Sequence, residues 1–192
     1  MKEKHVGHPG EARSRAELAA LTAAGARPKW VMFWGHTARG GGGTRQECLS
    51  QWWPAEFTVD GVTYPSAEHW MMAGKARMFG DEAIARQVLE ARTPAQAKKL
   101  GRLVRGFDGE VWEAGRFELV VEGNVAKFGQ DERLRAYLLG TGARVLVEAS
   151  PVDRIWGIGL AADDVRAERP AEWRGENLLG FALMEARARL AA

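Results

Sequence analysis

Between Tyr64 and Gly80 the chain reads YPSAEHWMMAGKARMFG, which places a carboxylate, an imidazole and an amine in one short segment: Glu68, His69 and Lys75. On a helix, positions 68 and 75 point to one side, about 10 Å apart along the axis. That is too far for direct contact but suits a polar ligand lying along the helix. Met71 and Met72 would supply a soft apolar floor between them. A plainer arrangement fits too, because the helix dipole favours a carboxylate in the first turn and Lys75 would then be solvated. Spacing alone leaves both open. A second set is Asn124 and Lys127, three apart on one helix face beside Phe128 in GNVAKFG, either a functional pair or a surface pair. A third is VDRIWGIGL, where Asp153 precedes Trp156, Gly157 and Gly159. Its glycines allow close backbone approach and its tryptophan offers a stacking face, although a tight turn anchored by Trp156 would look similar.

The pattern around these sets predicts the elements that carry them. Ser66 is a natural N-cap for a helix running to about Phe79, where Gly80 stops it. The preceding FTVDGVTY is a hairpin with an Asp60-Gly61 turn. Upstream, WVMFWGH is strand-like, and ARGGGGTR reads as a flexible connection because it lacks the Lys-[Ser/Thr] of a phosphate-binding loop. Downstream, helices are predicted from Asp81, from Thr93-Pro94, across DGEVWEAGRFELVVEGNVAKFGQ and across DERLRAYLLGTG. A short strand RVLVEAS follows, then the 151–160 loop, then a closing helix capped near Asn177. The expected architecture is an α-rich single domain with a small β component over residues 29–192. Residues 1–28 are read as a partly flexible appendage.

Composition narrows the function classes. The chain has 192 residues, 46% hydrophobic and 27% charged, with a net charge of +2. This suits a folded domain and gives no broad basic field for non-specific nucleic-acid binding. Cys48 is the single cysteine, which excludes disulfide scaffolds and multi-cysteine zinc sites. Four scattered histidines make no metal site, and no cofactor is called for. No apolar run reaches membrane-spanning length and the N-terminus does not read as a secretory signal, so a cytoplasmic location is expected. Eight tryptophans against two tyrosines are unusual; their flat faces serve either a core or a stacked base.

Taken together, LSQWWPAEFTVDGVTYPSAEHWMMAGKARMF, NVAKF, DRIWGIGL and GENLLGFALMEAR, in that order, resemble the NADAR family of YbiA-like N-glycosidases. The resemblance runs from about residue 30 to the C-terminus. It implies a mainly α fold and cleavage of the bond between a ribosyl group and a nitrogen base. It also implies substrates such as ADP-ribose on guanine or early phosphoribosylamino-pyrimidine intermediates of riboflavin synthesis. The positions that match the family motifs are Glu68, His69, Lys75, Lys127, Asp153, Trp156, Gly157 and Gly159. Two departures stand out: Ser50-Gln51-Trp52 replaces the usual Ser-Asn-Phe, and Ile158 stands where some relatives carry Asp.

On this basis Glu68 is expected to act at the anomeric carbon and Asp153 to orient a ribose hydroxyl or a neighbouring side chain. Lys75 or Lys127 would bind phosphate, or a lysine of depressed pKa would capture the opened sugar as a Schiff base. Trp34, Trp52 and Trp156 are candidate stacking faces. Ser50, Gln51, His69, Asn124, Gly157 and Gly159 are candidate binding positions. The expected partner is an ADP-ribosyl or phosphoribosyl small molecule. ADP-ribosylated DNA or RNA is the macromolecular alternative, with Arg39, Arg45, Arg102 and Arg105 as a phosphate-contacting rim. The competing reading is a non-catalytic ADP-ribose or nucleotide-binding module.

Overall fold

The computed structural model describes residues 7–35 and 45–192. His5, His36, Arg39 and the glycine run 40–43 lie outside the described residues. In chain order the elements are α1 (Arg15–Ala23), β1 (Trp30–Phe33), β2 (Phe57–Val59), β3 (Val62–Tyr64), α2 (Ala67–Met78), α3 (Glu82–Glu90), α4 (Pro94–Gly101), α5 (Gly109–Gly129), α6 (Glu132–Gly140), β4 (Val145–Glu148) and α7 (Leu178–Ala191). The mainly α expectation is met, and most boundaries follow from local chemistry. The hydroxyl of Thr93 caps α4 by accepting from Gln96 N–H, with Pro94 in the first turn. The hairpin pairs Phe57 with Tyr64 and Val59 with Val62 across the Asp60-Gly61 turn.

The long α5 is the central helix, packed against α2 on one side and α7 on the other. Its glycines, which blur the apolar pattern in the sequence, mark the closest approaches. A Cβ on Gly123 would lie 2.3 Å from the Trp70 ring, and that ring is pinned by its Nε1–H donating to Leu119 O at 2.7 Å. Gly123→Ala therefore overpacks the interface, and alanine's helix propensity, worth about 1 kcal/mol, is the smaller effect. A net loss of about 2 kcal/mol is expected, visible as a lower Tm.

β1 and β4 pair in parallel, Trp30 opposite Val145 and Phe33 opposite Glu148, and β4 lies on α7. Val145, Leu146 and Val147 are fully buried in the core. From Pro9 onward the N-terminal residues read as an appendage are also held on the core. Ala12 and Leu18 are fully buried, Arg13 pairs with Glu185, and Arg187 donates to Gly10 O.

Candidate active site

Parallel strands tend to present ligand sites beyond their carboxyl ends. Here Trp34 follows β1 and Glu148 ends β4, and both border a cavity of 370 Å³ together with Trp52, Lys98 and Asp153. A recess of 50 Å³ shares Ser50, Trp52, Lys98, Glu148 and Asp153 with it. The recess adds Gln51, Glu68, Met71, Trp156 and Leu179. A larger cavity of 650 Å³, lined by Arg27, Lys29 and Arg144 at the other end of the strands, contains no carboxylate. Volume alone does not make a chemical site.

The segment carrying Ser50, Gln51 and Trp52 is fastened from two helices. The N–H of Glu68, one of the donors left over at the start of α2, binds Gln51 O at 3.0 Å. From α5, Lys127 Nζ donates to Cys48 O at 2.6 Å and Ser50 O at 2.8 Å, while Asn124 Nδ2 donates to Gln51 Oε1 at 3.1 Å. Lys127 is buried with no carboxylate partner, and burial pushes its pKa down to about 7. Its amine does not line the cavity but holds the strip that does.

Other candidate residues separate in the same way. His69 is buried, with Nδ1 2.7 Å from the Ser66 hydroxyl and Nε2 3.0 Å from Ala91 O; burial lowers its pKa. With a neutral ring donating to that carbonyl, it ties the start of α2 to the end of α3. Lys75 donates to Gly101 O at 2.9 Å and stands 4.2 Å from the centre of the Phe107 ring, so its amine is spent outside the cavity. The heptad spacing put Lys75 on the side of Glu68, but the lysine that shares its cavity is Lys98. Met71 lines the recess, whereas Met72 packs against Gly101.

The loop after β4 is tightly wound. Asp153 Oδ1 accepts from Ile155 N–H at 2.9 Å and Trp156 N–H at 2.8 Å, which turns Trp156 toward the recess. A Cβ on Gly157 would sit 2.8 Å from Glu148 O, so only glycine lets this loop lie against the strand end. Gly159 has φ +67° and its N–H bonds Asp153 O at 3.0 Å. Ile158 is fully buried and donates its N–H to Glu148 O at 2.9 Å.

Two functional candidates escaped the sequence: Glu148 and Lys98. Glu148 is the polar end of an apolar strand, and a carboxylate closing a strand just before a glycine-containing loop was the available signal. Lys98, in a Lys-Lys pair on a short helix, gave none.

The electrostatics of the recess are unusual. Glu68, Glu148 and Asp153 face one cation, Lys98, among the described lining residues. Burial pushes the Glu68 carboxyl up to about 7, opposed by the Lys98 charge and a hydrogen bond from the Trp52 side chain. Burial and the Asp153 charge push Glu148 up to about 8. Among the described residues, Glu68 Oε1 and Glu148 Oε2 are both buried and have no hydrogen-bond partner. Such atoms are costly in a folded protein and point to a ligand that completes them. Among the described residues, no three His, Cys, Asp or Glu side chains form a metal-ligand set.

The chain is similar to several known proteins. "N-glycosidase R617" of Acanthamoeba polyphaga mimivirus is 41% identical over 164 residues, covering 83% of this chain and 95% of that protein. "N-glycosidase YbiA" of Escherichia coli K12 is 34% identical, covering 72% and 77%. The NMR structure of E. coli YbiA superposes with a TM-score of 0.68 at 28% identity, over 86% of each chain. "Riboflavin biosynthesis protein VVA0006" of Vibrio vulnificus is 33% identical over 74% of this chain, which spans 35% of that protein. The NADAR domain model matches residues 32–191, a stretch that holds every lining residue of the carboxylate cavity, and the chain belongs to the NADAR family.

Proposed function

We propose that the chain is an N-glycosidase that hydrolyses the bond between a ribosyl group and a nitrogen base, with Glu68 acting at the anomeric carbon. The observation that carries this reading is the Glu68 carboxylate, buried with an unpartnered Oε1 in a recess that gathers three acids around one amine. N-glycoside cleavage develops positive charge on the sugar ring, and a recess of excess negative potential stabilises that charge more than the neutral ground state. Asp153, whose loop bonds use Oδ1, orients a ribose hydroxyl with its other oxygen. Trp34 and Trp52, at the mouth, provide faces for the base.

Lys98, 5.9 Å from the centre of the Trp52 ring, takes the phosphate role first considered for Lys75 and Lys127. Lys98→Ala is expected to raise KM about tenfold with a smaller effect on kcat, a split that steady-state kinetics resolves. For a Schiff-base route, Lys98 is the amine in the cavity. Borohydride trapping with peptide mapping is then expected to mark Lys98 and neither Lys75 nor Lys127.

For substrate, we propose an ADP-ribosyl or phosphoribosyl N-glycoside: ADP-ribose on guanine, free or in nucleic acid, or a phosphoribosylamino-pyrimidine. The names of the mimivirus, E. coli and Vibrio relatives support N-glycosidase and riboflavin-related chemistry. The test is to compare kcat/KM for base release across these three substrate forms. Tight ADP-ribose binding with turnover of none of them would favour the non-catalytic binding module instead.

A further inference from the structure

Glu68 has a counterpart across the recess that no family motif singled out. Glu148 sits at the carboxyl end of β4 and borders both the outer cavity and the inner recess. Its backbone is clamped on both sides: its N–H donates to Asn177 Oδ1 at 2.9 Å, and its carbonyl accepts from Ile158 N–H at 2.9 Å. Its side chain leaves Oε2 buried and, among the described residues, without a hydrogen-bond partner. A strand end this firmly held, carrying an unpartnered carboxyl oxygen into a cavity, is a poor structural device and a good chemical one.

The two glutamates differ in surroundings. Glu68 receives a hydrogen bond from Trp52, which favours its ionised form. Glu148 Oε2 has no donor, and the charges of Asp153 and Glu68 stand against its ionisation, with Lys98 the opposing cation. The charged groups facing it are thus Glu68 from α2, Lys98 from α4 and Asp153 from the following loop. The nearby 50–52 strip and Leu179 at the start of α7 add only neutral side chains. Two carboxyls in one recess, one given a donor and the other none, are placed to hold different protonation states.

We propose that Glu148 is the general acid of the reaction, delivering its proton to the departing nitrogen while Glu68 is the carboxylate that takes a proton from the attacking water. This assignment rests on the N-glycosidase reading. The C1′–N bond breaks with its electron pair going to nitrogen, and the Glu148 O–H proton goes to that nitrogen. Water oxygen bonds to C1′, and its proton goes to Glu68. One water is consumed, and the products are the base bearing N–H and the sugar bearing a C1′ hydroxyl. Solvent then carries a proton from Glu68 and returns one to Glu148.

The pair predicts a bell-shaped kcat/KM profile, rising as Glu68 ionises near pH 7 and falling as Glu148 ionises near pH 8. Glu148→Gln is expected to lower kcat at least 100-fold with KM within a few-fold of the wild type, and to remove the alkaline limb while keeping the acidic one. Glu148→Ala, assayed near pH 7 with and without imidazole, whose cation is a proton donor at that pH, is expected to regain activity with imidazole. Activity of Glu148→Gln within about fivefold of the wild type, or a retained alkaline limb, overturns the assignment while leaving the N-glycosidase reading standing. So does the failure of imidazole to rescue a folded Glu148→Ala. A wild-type chain that releases no base from any substrate overturns both, and the two failures are told apart by the wild-type assay alone.

Discussion

Glu68→Gln is expected to lower base release about 10³-fold while leaving the protein at least as heat-stable as the wild type. The substitution keeps shape and removes the charge that faces the anomeric carbon, so the loss should fall on kcat rather than KM. The stability side follows from the raised carboxyl. Folded Glu68 titrates near 7 against an ordinary value of 4.5, so the folded state holds a proton that the unfolded chain has lost. Its contribution is fully present below the unfolded value and disappears as pH rises through about 7. At pH 8 the wild type therefore carries a buried, costly charge, and the glutamine variant does not. Thermal melts at pH 5 and pH 8 check this: the variant's Tm should match or exceed the wild type's at pH 8 and vary less between the two. A catalytic residue that costs stability is the usual sign of a site shaped for a ligand. Equal activity, or a fall in Tm at pH 8, contradicts the role.

Asn177→Ala is expected to cost about 4 kcal/mol and to lower activity even where the chain stays folded. Asn177 is fully buried in a left-handed conformation, φ 56°, at the start of α7. It makes no side-chain cap for its own helix; its amide spans the end of β4 instead. Oδ1 accepts from Glu148 N–H and Nδ2 donates to Leu146 O at 3.0 Å. Alanine strands both buried backbone groups, at about 1 to 3 kcal/mol each, and adds about 1 kcal/mol of backbone strain. Against a typical domain stability of about 5–15 kcal/mol this is a large fraction, and Tm should fall by about 10 °C. Asn177→Gly relieves the strain and not the lost bonds, so it should recover only about 1 kcal/mol. Activity measured at a temperature where the alanine variant is folded should still be reduced, because the backbone that aims Glu148 has lost one of its two anchors.

The boundaries legible in the sequence are those set by neighbouring residues. The Asp60-Gly61 hairpin, the Thr93-Pro94 helix start and the Gly80 stop each rest on chemistry within four positions. Pairing of β1 with β4 is different in kind. Two four-residue strands from distant parts of the chain meet because both are covered by the same core, and neither carries a partner's signature. The site shows the same division. Glu68, Asp153 and the glycine loop were visible because local spacing and motif order mark them. Glu148 and Lys98 were not, because a strand-ending acid and an exposed-looking lysine become chemical only when folding brings them to Glu68. Lys75 shows the converse: helical spacing suggested a partner for Glu68, but its amine bonds Gly101 O and stands over the Phe107 ring, outside the cavity.

Whether this recess breaks N-glycosidic bonds is tested by mass spectrometry of the purified chain incubated with ADP-ribosylated guanosine and with a phosphoribosylamino-pyrimidine. Free base and the hydrolysed ribosyl product are expected to accumulate together, in equal amounts, from at least one of them. Intact substrate in both incubations, with ADP-ribose nonetheless bound tightly, would contradict it.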